Sequence, residues 1–133
     1  MDSNPPTHAM PRLPVTVDEA RRAPVQPGHL SALLATYGSV ELRWFTPRVV
    51  DHQEPHDRDE IYIIVAGSAV FMRAHDRTPF SEDQALDLVG EERVTVHPGD
   101  VLFVPAGTLH RFESMSADFG SWMIFHGPEG GEA

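Results

Sequence analysis

From Leu30 onward the chain breaks into short apolar runs rich in Val, Ile, Phe, Tyr and Trp, parted every few residues by Gly, Pro or Asp. Runs of this length between turn formers read as strands rather than helices. The pattern predicts strands at Ser31–Thr36, Val40–Thr46, Glu60–Val65, Ala69–Arg73, Arg93–Val96, Val101–Val104, Leu109–Glu113 and Gly120–Phe125. Turns fall at Gly38, at Gly67, in Pro98-Gly99-Asp100 and in Pro105-Ala106-Gly107, where Gly supplies positive φ and Pro presets it. Short strands without a long helix predict an all-β domain, a small barrel or a two-sheet jelly roll whose edges are closed or covered.

Three segments depart from this rhythm. Residues 1–29 form an N-terminal arm, Pro-rich and mostly irregular, in which Thr16 and Glu19 have capping-box spacing and start one turn of helix that Pro24 stops. His75–Glu92 is a long connection with a weak capping-box start at Ser81-Glu82-Asp83-Gln84, read either as a surface excursion or as a lid. The run Ile61-Tyr62-Ile63-Ile64-Val65 is apolar on both faces, so its outer face needs cover. A second copy of the chain, giving a homodimer, supplies that cover, or else the segment Val15–Val25 folds across the sheet. The domain itself is expected over residues 30–127, with a flexible tail at 128–133.

Composition narrows the chemistry. The 133 residues suit one domain, and 41% hydrophobic with 23% charged residues is ordinary for a chain that buries a core. Twenty acidic against ten basic residues give a net charge of −10, the wrong sign for binding nucleic acid or an anionic membrane. All ten basic residues are Arg, which excludes Schiff-base and P-loop lysine chemistry. Cysteine is absent as well, so thiol nucleophiles, disulfides and thiolate metal sites are excluded. The opening residues lack a signal-peptide pattern and no run is long enough to span a membrane, so a cytoplasmic protein is expected.

What remains for chemistry is His, Asp, Glu, Tyr and hydroxyls. The segment Asp51-His52-Gln53-Glu54-Pro55-His56-Asp57-Arg58-Asp59-Glu60 packs imidazoles and carboxylates ahead of an apolar strand. In extended chain Glu54 and His56 share a face, and a short loop brings Glu60 beside them. Such nitrogen and oxygen donors, with no sulfur, suit Fe, Mn, Ni or Zn as divalent ions. The competing reading is an acidic loop satisfied by water and Arg58. His8, His29, His97 and His126 stand outside any cluster and read as surface residues.

The second segment, Gly99 to His110, runs strand, Pro-Gly turn, strand, and here the chain resembles the cupin superfamily, the RmlC-like small β-barrels with two motifs. Gly99, Pro105, Gly107 and His110 match the later cupin motif at full spacing, with Ser114 where the family usually has Asn. His56, Glu60 and Gly67 match the earlier motif, while Glu54 occupies its first histidine position and Arg48 its leading glycine. The resemblance covers roughly residues 30–127 and extends to small single-domain bacterial cupins. It implies a cupin-type double-stranded β-helix, or jelly-roll barrel, with a divalent metal inside it held by His56, Glu60 and His110. Glu54 would be a fourth ligand or accept a hydrogen bond from a metal-bound water.

Strand parity extends the site. If His110 faces inward so does Phe112, and if Glu60 does so do Tyr62 and Ile64. Tyr62 could donate a proton or orient a ligand, or simply be a core aromatic; Trp44 and Trp122 would line or cap the cavity or only pack. Two functions follow. One is a metal-dependent enzyme of dioxygenase, isomerase or lyase type acting on a small organic molecule, with Glu54 or Tyr62 as acid or base. The other is a non-catalytic domain that binds or senses a small molecule.

Overall fold

A computed structural model describes residues 13–47, 55–74 and 90–132. His52 and Glu54 lie outside the described residues, as do Arg48 and the helical start expected after Ser81.

One short helix precedes the sheet. Helix α1 spans Val17–Arg22; the Thr16 side chain accepts from the Glu19 backbone N–H, and the Glu19 carboxylate accepts from the Thr16 backbone. This is the expected capping box, with Asp18 and Glu19 at the positive end of the helix and Arg21 and Arg22 at the negative end. Extended backbone at Ala23 ends the helix just ahead of Pro24.

Eight strands follow: β1 Ala32–Tyr37, β2 Val40–Phe45, β3 Asp59–Ala66, β4 Ala69–Ala74, β5 Glu91–Val96, β6 Val101–Val104, β7 Leu109–Glu113 and β8 Gly120–His126. They form a five-stranded sheet in the order β1-β2-β8-β3-β6 and a three-stranded sheet in the order β5-β4-β7, with every pair antiparallel. The fold is thus all-β, a two-sheet jelly roll.

Between the sheets lies an aromatic core of Phe45, Tyr62, Phe71, Phe112 and Phe119, filled out by Ile64, Val96, Val104 and Met123. Tyr62 meets Phe112 edge-on at 4.9 Å between ring centres, and Phe112 stacks against Phe119 at 4.8 Å. Strand parity sends Glu60, Tyr62 and Ile64 of β3 and His110 and Phe112 of β7 into this interior, as expected.

The Trp pair is placed differently from one of the two expected roles. Trp44 and Trp122 pair across β2 and β8, edge to face at 5.2 Å. Their strand neighbours Phe45 and Met123 belong to the core, so both indoles lie on the opposite face of the sheet. Trp44 is buried there beneath Arg21 of α1, whose guanidinium sits 5.2 Å from the ring centre. Residues of the 15–25 segment therefore cover part of the outer face, over β2.

The turn glycines have separate reasons. Gly67 has φ +74°, and a Cβ added there would lie 2.7 Å from the Phe119 Cα, so neither the conformation nor the space admits a side chain. Gly107 has φ +79° in the turn after Pro105, and its N–H donates to the His56 carbonyl at 2.6 Å. That hydrogen bond ties the turn of the later motif to the histidine of the earlier one.

Candidate metal centre

The five-stranded sheet supplies Glu60 from the start of β3, the three-stranded sheet supplies His110 from β7, and the approach to β3 supplies His56. Glu60 and His110 are fully buried, whereas His56 is half-buried. Glu60 Oε1 lies 3.2 Å from His110 Nε2 and 3.7 Å from His56 Nε2. One donor atom from each of the three residues lies within 4.8 Å of the others.

The protonation pattern follows from the partners. His110 Nδ1 is 2.9 Å from the Thr108 carbonyl, which can only accept, so Nδ1 carries the proton. Nε2 then points at Glu60, and in the neutral ring it offers a lone pair there. Neither Glu60 oxygen accepts a hydrogen bond from the described residues, although both are buried. A carboxylate taken out of water in this way is costly unless a cation meets it. The donors of one metal ion, at bonds of about 2.0–2.2 Å, sit roughly 3–4 Å apart. The separations from Glu60 to the two imidazoles have that spacing. The residues present therefore fit a divalent ion, and the hydrogen bond at Nδ1 is the outer contact that commonly fixes a ligating imidazole.

His56 is held by packing on one side and by backbone on the other. Its ring lies edge-on to Phe125 at 4.9 Å and 5.2 Å from the His110 ring. Close by, Asp59 accepts from the backbone N–H groups of Ala106 and Glu132, both at 2.9 Å. Those backbone donors, Glu132 first, hold its carboxyl below the ordinary aspartate value. The same contacts anchor the Pro105–Gly107 turn and residues near the C-terminus against β3.

Of the expected site residues, the structure brings together His56, Glu60 and His110. Tyr62 is fully buried, two residues beyond Glu60 on the same face, with its ring centre 6.1 Å from that of His110. Arg58 is engaged away from the three donors: it donates to Glu41 at 2.9 Å, to the Gly127 carbonyl at 3.2 Å and to the Ser39 carbonyl.

Two residues beside the site were not anticipated. Glu41 and Arg43 of β2 share the inner face with Phe45, which turns the usual polarity of a strand around: Leu42 and Trp44 face outward. Glu41 pairs through Phe125 with Glu60 in one row, and Arg43 pairs through Met123 with Tyr62 in the next. Arg43 and His56 both line a cavity of about 360 Å³ with Met123 and Phe125 in its wall.

Comparison with known proteins bears on the family and the fold. The uncharacterized protein SCO3923 of Streptomyces coelicolor is 32% identical over 111 residues, which cover 84% of this chain and 90% of that protein. Among solved structures, a cupin superfamily protein from Desulfitobacterium hafniense matches 93% of this chain and 98% of its own, with a TM-score of 0.52 and 20% identity. The chain belongs to one family with SCO3923 and has the cupin fold. KdgF from a Halomonas species shares this fold over 86% of this chain and 94% of its own, with a TM-score of 0.59 and 19% identity. No protein-family model matches the chain. Among the described residues, no helix is long and apolar enough to cross a membrane.

Proposed function

We propose that this cupin binds a divalent metal ion through His56, Glu60 and His110 and uses it on a small organic molecule held in the adjoining cavity. The observation that carries the reading is the buried Glu60 carboxylate, without a hydrogen bond from the described residues and facing two imidazole nitrogens at 3.2 and 3.7 Å. Two histidines and one carboxylate leave coordination positions open to a ligand, and a bound ion would supply Lewis-acid polarisation there. The protein's own part is to orient the donors, through Thr108 on His110 and Phe125 on His56, and to exclude water with the aromatic core below.

An enzyme of dioxygenase, isomerase or lyase type is the favoured form of this function. Tyr62 is the acid or base candidate from the core side, and Glu54 the candidate from the segment ahead of His56. Iron, manganese, nickel and zinc all accept this donor set. The test is metal analysis of the purified protein beside His110→Ala. Near-stoichiometric metal in the parent and its loss in a folded variant are expected; a folded parent that takes up no added divalent ion would overturn the reading. A binding domain without turnover is the second reading, supported by the cavity alone. Ligands that raise the melting temperature yet are recovered unchanged would favour it.

A further inference from the structure

We propose that the cavity beside the metal centre takes a ligand bearing a carboxylate group, and that Arg43 is the residue that recognises it. The inference rests on the metal-site reading for the place of the ligand, but its own evidence is separate.

Arg43 is an unusual residue to find on an inner face. It is 9% exposed, in a chain whose ten basic residues could all have been kept in water. Its contacts account for part of the guanidinium only. Nε donates to Glu41 Oε1 at 3.0 Å, and Nη1 donates to the Ser31 carbonyl and hydroxyl at 3.2 and 3.3 Å. Among the described residues Nη2 has no partner, which leaves two N–H donors.

The nearest carboxylate is divided between two guanidinium groups. The Glu41 carboxylate is shared, with Oε1 on Arg43 and Oε2 on Arg58 at 2.9 Å. Arg58 turns Nε to the Gly127 carbonyl and Nη2 to the Ser39 carbonyl, so each of its three nitrogens is already engaged, unlike Nη2 of Arg43. Asp57 contributes at the exposed rim. A carboxylate oxygen can accept from the open Nη2 of Arg43 in a charge-assisted hydrogen bond, the stronger kind for a guanidinium. A phosphate dianion would call for more donors than remain.

The distance suits a ligand of modest size. Arg43 stands two strands from β3, about 10 Å across the sheet, and the 360 Å³ cavity that it lines also reaches His56. That volume lies in the range of small-molecule sites. A molecule about as large as a sugar acid would place its carboxylate at Arg43 and its far end at the metal-binding residues, with Met123 and Phe125 against its apolar side.

The test is a thermal-shift and calorimetric comparison of matched probes, D-galacturonate against D-galactose and glycolate against glycolamide. Inorganic phosphate is included, at fixed ionic strength, on metal-loaded and EDTA-treated protein. The acids are expected to bind the parent at least tenfold more tightly than their neutral counterparts, and Arg43→Gln is expected to lose that preference while keeping its metal content. Arg43→Lys keeps the charge without the fork and is expected to retain part of it, which covers a failure of the Gln variant to fold. Equal binding of acid and neutral probes by the parent would overturn the proposal, as would an undiminished preference in Arg43→Gln or a preference for phosphate. Loss of metal binding alone would strike the metal-site reading, because the acid preference of EDTA-treated protein is measured independently.

Discussion

Glu60 is a buried carboxylate that costs the fold stability unless a cation meets it. Its two oxygens are buried without N–H donors from the described residues, and His110 Nε2 lies 3.2 Å from one of them. Glu60→Gln removes the charge and provides an amide N–H that His110 Nε2 can accept. The metal-free variant is therefore expected to be more stable than the metal-free parent by about 1 kcal/mol, the usual net worth of a hydrogen bond, while failing to take up metal. Chemical denaturation of both proteins in EDTA checks this, and a variant clearly less stable than the parent would speak against the stated cost. The three donors were legible in the sequence because each sits at a motif spacing. Arg43 was not. Glu41 and Arg43 alternate with apolar residues as a solvent-facing row would, and only the pairing of β2 with β8 shows that this row faces the interior. Ser114, in the position where the family usually has Asn, adopts φ +50°, a conformation Asn tolerates better than most residues.

At the level of elements, all eight expected strands are present with ends shifted by no more than about two residues, the usual uncertainty of boundaries. Their alternation and glycine punctuation are local properties, so the sequence carries them. Which face of β2 is buried depends on a partner strand some eighty residues away, so local reading placed Trp44 and Trp122 at the cavity as readily as in plain packing. The three-stranded sheet shows a second long-range feature. Arg93 of β5 reaches across β4 to Glu113 of β7 at 3.0 Å, and Arg111 adds a contact to the same carboxylate at 2.9 Å. Hydrogen bonding from Arg93, the largest cause, holds the Glu113 carboxyl below its ordinary value of 4.5, against the opposing effect of burial. A depressed carboxylate pKa stabilises the fold fully above the unfolded value, and the contribution is lost as pH falls through the folded one. The parent should therefore exceed Glu113→Gln in stability at pH 7 by less than about 1 kcal/mol, as for other exposed pairs, with the gap closing below pH 4.5. Urea unfolding at pH 7 and pH 3.5 measures it; a gap that widens in acid would contradict the assignment.

For the whole molecule, the outer faces of the two sheets contrast. The three-stranded sheet carries Arg93, Arg111 and Glu113 outside. The five-stranded sheet carries the rows Ala35-Leu42-Ile124-Ile61-Phe103 and Ala32-Trp44-Trp122-Ile63-Val101, with no charged residue in either. Phe103 is 63% exposed and Val101 49%. In a chain of net charge −10, the part of this face that α1 leaves open, around Phe103 and Val101, is where two copies would meet with least repulsion. We expect a homodimer through it. Light scattering after gel filtration should give twice the 14.8 kDa of one chain, reduced to one chain by Phe103→Asp, whereas a monomeric parent would contradict the expectation.

The metal centre also belongs to this scale, because its donors come from both sheets and a bound ion would join them. The most direct test is anomalous diffraction from a crystal of the metal-loaded protein, recorded on both sides of the metal's absorption edge. The account predicts one strong peak between His56 Nε2, Glu60 and His110 Nε2, at bonding distances of about 2.0–2.2 Å. A metal-loaded crystal whose anomalous density lies elsewhere, with these three side chains left facing one another, would contradict it.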